Sequence, residues 1–384
     1  MVTKSKYLEL IKFIKDYYNT NDFIPLHRPL FNGNEKINLE KCIDSNFVSS
    51  VGKEIIEFEK NISKFIGSEY SILTVNGTAA LHIALILAKV KPGDEVITQA
   101  LSFVATCNAI SYTGAKPILL DVDKNTMGLS VEALESFIKK NVKKDNKGYS
   151  VNKKTGKRIS ACVPMHTFGH PCEIEGIARI CTENNILLIE DAAESLGSKY
   201  KNKYTGTFGI CGITSFNGNK IITTGGGGAI FTNNEKVALL AKHLTTTAKI
   251  PHPYEYNHDQ IGYNFRMPNI NAVIGLAQLE QLPYFINEKR KLSRLYLNKT
   301  KELGLSMVIE PINCESNYWL NCILLDSIEE KNIFLDLTNS REIMTRPFWT
   351  SMNNLKMYKN CQNDGLFNSK WLQERVVCLP SSVK

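Results

Sequence analysis

The chain has 384 residues, 43% of them hydrophobic and 22% charged, with a formal net charge of +8. That is ordinary for a folded protein with room for two domains. It has no run of five basic residues and no basic helix interleaved with aromatics, so nucleic-acid binding has no support. The longest apolar stretch, around Leu81 to Val90, contains His82 and Lys89 and is too short to span a membrane. The ten cysteines form no Cys-x-x-Cys pair. With no secretory cleavage site, they read as reduced thiols of a cytoplasmic protein.

Residues 1–24 place Tyr7, Leu8, Ile11, Ile14, Tyr17 and Tyr18 at helical spacing among lysines, which predicts an amphipathic arm that packs on the protein rather than a membrane anchor. From about residue 70, short apolar runs alternate with helix-like segments. Strands are predicted over 71–75, 95–98, 116–122, 161–165, 186–190, 212–216 and 228–232, and helices over 78–89, 131–140 and 173–184. The polar segment 145–157 reads as an exposed loop or hairpin. This alternation predicts an α/β fold with a large, mostly parallel sheet over residues 25–250. After Lys249, a stiff aromatic connection (Pro251, Pro253, Tyr254, Tyr256) leads to two predicted helices, 269–282 and 285–301, and a strand over 318–325. Residues 251–384 are read as a smaller α/β domain.

Four motifs follow one another in this frame. Asn76-Gly77-Thr78 joins a strand to a helix, and the amides at a helix start favour a phosphate, although a plain helix cap has the same signature. Asp191, in Glu190-Asp191-Ala192-Ala193-Glu194, ends an apolar strand, where a carboxylate either caps a helix or holds a pyridine nitrogen protonated. Lys220, in Ser215-Phe216-Asn217-Gly218-Asn219-Lys220, lies between an apolar strand and a glycine run; its amine is placed to form a Schiff base. Thr224-Gly225-Gly226-Gly227-Gly228 then runs into a strand, which favours an ordered turn over a flexible loop.

In that order, the motifs resemble the DegT/DnrJ/EryC1/StrS family of sugar aminotransferases that depend on pyridoxal 5'-phosphate (PLP), from about Pro25 to the C-terminus. The resemblance implies the type I PLP aminotransferase fold, with Lys220 as the Schiff-base lysine and proton carrier, Asp191 on the pyridinium and Phe103 stacked on the ring. Glu194 is implied near the ring or sugar, Gly77, Thr78 and Ser215 at the phosphate, and Asn264 at the phosphate of a neighbouring subunit in a homodimer with shared sites. His166, in His166-Thr-Phe-Gly-His170, is implied to line the cleft rather than bind a metal. Ser49, His166, Lys249 and Tyr254 are implied substrate contacts.

The segments His243–Lys249 and Pro253–His258 resemble the legionaminic-acid and bacillosamine branch. The implied reaction moves an amino group from glutamate to C4 of a nucleotide-linked 4-keto-6-deoxy sugar for bacterial surface glycans, with a UDP-linked 2-acetamido sugar placed first. A GDP-linked sugar of perosamine type and a non-catalytic nucleotide-sugar binding protein stand as alternatives.

Overall fold

The computed structural model describes residues 2–384. Its main sheet has seven strands: β1 (Tyr70–Thr74), β2 (Glu95–Gln99), β3 (Lys116–Leu120), β4 (Ile159–Val163), β5 (Leu187–Asp191), β6 (Cys211–Ser215) and β7 (Gly228–Thr232). The order across the sheet is β1-β7-β6-β5-β4-β2-β3. Only β7 runs against the others, pairing antiparallel with both β1 and β6. The remaining neighbours are parallel. Strands β2, β4 and β7 are buried along their whole length, which is why they read as continuous apolar runs rather than alternating ones. The mostly parallel sheet and its covering helices are the α/β architecture expected from the sequence, and the predicted strand positions are met within two residues at nearly every end.

Helix α1 (Val2–Tyr18) buries Tyr7, Leu10 and Ile14 against Leu292, Tyr296 and Phe334, so the arm packs on the C-terminal part of the chain. Helices α2 (Glu35–Asp44) and α3 (Lys53–Ile66) lead to the sheet, α4 (Gly77–Leu87) follows β1, and α5 (Val104–Tyr112) follows β2. The polar segment after residue 141 is a hairpin pairing Val142–Lys144 with Ser150–Asn152. A second, four-stranded sheet takes its strands from Ser306–Met307, Asn321–Leu324, Arg346–Pro347 and Val376–Leu379. No helix of the described residues is long and apolar enough to cross a membrane.

The two helices predicted around residue 283 form one helix, Asn269–Glu302, with Pro283 inside it. Proline gives up a backbone hydrogen bond and crowds the preceding turn. The helix continues because its first half buries Leu279, Leu282 and Phe285 beside the main sheet, and its second half buries Leu292 and Tyr296 beside α1. Pro283 itself is exposed. Pro283→Ala is therefore expected to raise stability by about 2 kcal/mol, read as a higher urea midpoint with unchanged slope. A lower midpoint would mean that the packing requires the proline bend.

Candidate active site

The carboxyl ends of β1, β2, β5 and β6 lie along one edge of the sheet, where α/β proteins bind ligands. Four loops meet there. After β1, Asn76 caps α4 by accepting a hydrogen bond from the Ala79 amide (2.7 Å), which leaves Gly77 and Thr78 in the first turn. Thr78 is thus not the cap. A Cβ on Gly77 would sit 2.8 Å from the Ser215 Cβ, and one on Gly228 would sit 2.7 Å from the Asn76 carbonyl carbon. Only glycine at these two positions lets the helix start press against Ser215. The result is a small polar cradle of helix-start amides with the hydroxyl-bearing residues Thr78 and Ser215.

After β5, Asp191 is 2% exposed. One carboxylate oxygen accepts a hydrogen bond from Thr106 Oγ1 (2.7 Å) and the other from the Ala193 amide (3.2 Å). Burial raises its carboxyl above the ordinary range, against the lowering effect of those two hydrogen bonds and of the charges of Lys220 and His166. The turn that follows brings Glu194 back into the same buried space. Burial likewise raises Glu194, opposed chiefly by Lys220. Its Oε2 accepts from the Phe168 amide (2.9 Å), which helps hold Phe168 at a left-handed φ of 54°.

After β6, the Phe216–Gly227 loop closes on itself. The Phe216 amide donates to the Gly227 carbonyl, the Thr224 amide to the Phe216 carbonyl, and the Lys220 amide to the Asn217 carbonyl. This fold aims the Lys220 side chain inward, where it is 12% exposed and its Nζ lies 3.2 Å from Glu194 Oε1. Phe103, at the start of α5, keeps a half-exposed ring beside Trp349 (centroids 5.9 Å apart).

Gly77, Thr78, Phe103, Asp191, Glu194, Ser215 and Lys220 thus converge on one strand-end cleft. Its contents suit a flat, phosphorylated pyridine aldehyde: an anion cradle, a buried carboxylate for the ring nitrogen, an aromatic face and an amine. Asn264 does not join them. It is exposed, and with Lys249, Ser50 and Arg266 it borders a separate open cavity of about 870 Å3. Tyr254 is 79% exposed, next to His252. Ser49 is exposed, and its carbonyl accepts the Asn269 amide.

His166 departs from the role expected of it. It is fully buried, with Nε2 3.1 Å from Glu190 and Nδ1 accepting from the Cys172 amide. No atom is left to meet a substrate. Its backbone amide instead donates to the Asp191 carbonyl, so it braces β5 from behind.

Two residues of the cleft escaped the sequence. Thr106 lies one helical turn after Phe103, on a helix whose Val-Ala-Thr-Cys-Asn-Ala-Ile-Ser-Tyr sequence has no polar face to mark its period. Trp319 comes from the segment between the first two strands of the second sheet, Ser306–Met307 and Asn321–Leu324, and its ring centroid is 3.9 Å from Lys220 Nζ. Nothing near it in the chain signals that contact.

A model of the DegT/DnrJ/EryC1/StrS aminotransferase family matches residues 31–384. A GDP-perosamine synthase of Escherichia coli O157:H7 is 38% identical over 336 residues, 88% of this chain and 87% of that one. A GDP-perosamine synthase of Caulobacter vibrioides is 34% identical over 349 residues, 89% of each. Among solved structures, the Helicobacter pylori aminotransferase involved in the biosynthesis of pseudoaminic acid superposes with a TM-score of 0.84 at 22% identity, over 94% of both chains.

Proposed function

The chain belongs to the DegT/DnrJ/EryC1/StrS aminotransferase family and is a PLP-dependent sugar aminotransferase, and from that premise we propose that it aminates C4 of a GDP-linked 4-keto-6-deoxy sugar, with glutamate as the amino donor. The observation that carries the chemistry is the pairing of the largely enclosed Lys220 with buried Glu194, beside the buried carboxylate of Asp191. What favours GDP is that relatives similar over most of both chains are named for GDP-perosamine. The UDP-linked 2-acetamido sugar of the legionaminic-acid and bacillosamine branch, placed first on sequence, becomes the second reading.

When bound, PLP supplies the electron sink for amino-group transfer. Asp191, anchored by Thr106 and the Ala193 amide, would hold positive charge at the ring nitrogen. Gly77, Thr78 and Ser215 would hold the phosphate, and Phe103 would cover the ring. Lys220 Nζ carries the proton to and from the substrate carbon. Glu194 Oε1 accepts a hydrogen bond from that amine and keeps it aimed into the cleft. In this reading, the enzyme is a cytoplasmic homodimer. Asn264 serves the partner's phosphate, and exposed apolar residues such as Phe47, Val51 and Ile261 supply the dimer face.

Purified protein given glutamate and, separately, GDP- and UDP-linked 4-keto-6-deoxy sugars is expected to aminate the GDP sugar with a kcat/KM at least about tenfold higher, the reach of a few well-made base contacts. Product mass and 2-oxoglutarate release would be measured. Preferential amination of the UDP sugar would restore the second reading.

A further inference from the structure

Trp319 has no place in the reaction described so far, yet its indole is held from several sides. It is 4% exposed. Its Nε1–H donates to the Asn219 carbonyl (2.7 Å), the residue just before Lys220. Its backbone amide donates to Asn317 Oδ1 (2.8 Å), and Asn317 Nδ2 in turn donates to the Glu194 and Leu196 carbonyls. Its carbonyl accepts from Lys289 Nζ (3.0 Å), a fully buried lysine that also donates to the Ser381 carbonyl. Trp319 is therefore tied through its indole to the turn that carries Lys220, and through its backbone amide and Asn317 to the loop that carries Glu194.

We infer that the Trp319 face holds the ε-ammonium of Lys220 whenever that amine is not bonded to cofactor, and so keeps a proton stored beside the reacting carbon. The inference rests on Lys220 being the reactive lysine. The contact is 3.9 Å from Nζ to ring centroid on a side chain that is 12% exposed. A cation over an aromatic face gains most where water is excluded. An indole face attracts only the charged amine and has no basic lone pair to take its proton. Glu194, 3.2 Å away on the other contact, has one.

The remaining groups around Lys220 do not substitute for the indole. Asp191 is engaged by Thr106 and the Ala193 amide. His27, on the N-terminal segment, is pushed well below the ordinary histidine range, first by burial and then by the charges of Lys289 and Lys220, so it adds no charge of its own. Burial likewise lowers Lys289 strongly, and it faces carbonyls behind the tryptophan.

The test is trace acetylation of the full-length, cofactor-free protein with acetic anhydride from pH 6 to 11, with Lys220 followed by peptide mass spectrometry. An exposed lysine such as Lys143 is the internal reference. In Trp319→Leu, the half-maximal labelling of Lys220 is expected to move down by about one pH unit, giving roughly tenfold faster labelling at a fixed pH below the midpoint. Trp319→Phe, which keeps a weaker face, is expected to fall between Leu and wild type. Superimposable profiles would overturn the inference. So would a rate that rises by the same factor at every pH, which is increased access alone. If the leucine variant loses cooperative unfolding, the phenylalanine variant decides, and no shift there is an overturning result. Failure of the underlying reading is separate: wild-type holoenzyme that, after borohydride reduction, carries the phosphopyridoxyl group on a lysine other than Lys220 would remove Lys220 as the reactive lysine, whatever the labelling shows.

Discussion

Lys220→Ala is expected to lower kcat for amino transfer by about 10^4-fold or more, because both the cofactor attachment and the proton carrier go together. The structure leaves no substitute at that position. Lys289 is fully buried and committed to the carbonyls of Trp319 and Ser381. His27 is held neutral by its surroundings. Glu194 can take a proton but cannot attack a carbonyl as an amine does. The fold should survive, since Lys220 ends a turn closed by backbone bonds and contributes a 12% exposed side chain. The measurement is steady-state turnover alongside thermal unfolding. Turnover within tenfold of wild type would refute the assignment.

Asp191→Asn separates function from stability. An amide cannot supply the negative charge that keeps a pyridine nitrogen protonated, so activity is expected to fall by about 10^2- to 10^3-fold, the scale for loss of one preorganised electrostatic partner. Geometry should be kept, because the amide oxygen can accept from Ala193 and its nitrogen can donate to Thr106 Oγ1. Without cofactor, the wild-type carboxyl is raised by burial above its unfolded value. It therefore binds a proton more tightly folded than unfolded, and the wild-type protein loses stability as pH rises from the unfolded pKa through the folded one. The variant lacks that loss. Cofactor-free Asp191→Asn is thus expected to be at least as stable as wild type at pH 7, with the difference shrinking toward pH 4. Urea midpoints at both pH values check the sign. A variant much less stable at pH 7 would mean that the charged form is satisfied in the fold without cofactor.

These residues also mark what a linear reading can and cannot reach. The sheet was legible because its strands are buried on both faces, and the chain must then write each as an apolar run ending where the polar loop begins. The same logic put Asp191 at a strand end and Lys220 in the loop just past another. The glycines announced themselves because Gly77 and Gly228 sit where any Cβ would meet Ser215 or Asn76. Pro283 misled, since its local cost is real but smaller than the burial gained by Phe285, Leu292 and Tyr296 on either side. His166 misled for a different reason. It lies at a strand end like Asp191, but both its ring nitrogens are taken, one by Glu190 and the other by the Cys172 amide. Thr106 and Trp319 could not be read, because their roles exist only once α5 and the second sheet fold over the strand ends.

If Lys220 is the reactive lysine, PLP is bound to it covalently. Borohydride reduction of the purified holoenzyme, followed by proteolysis and peptide mass mapping, tests it directly. A phosphopyridoxyl group is expected on the peptide carrying Lys220, lost when the protein is first saturated with glutamate. The group on a different lysine, or on none after incubation with PLP, would contradict it.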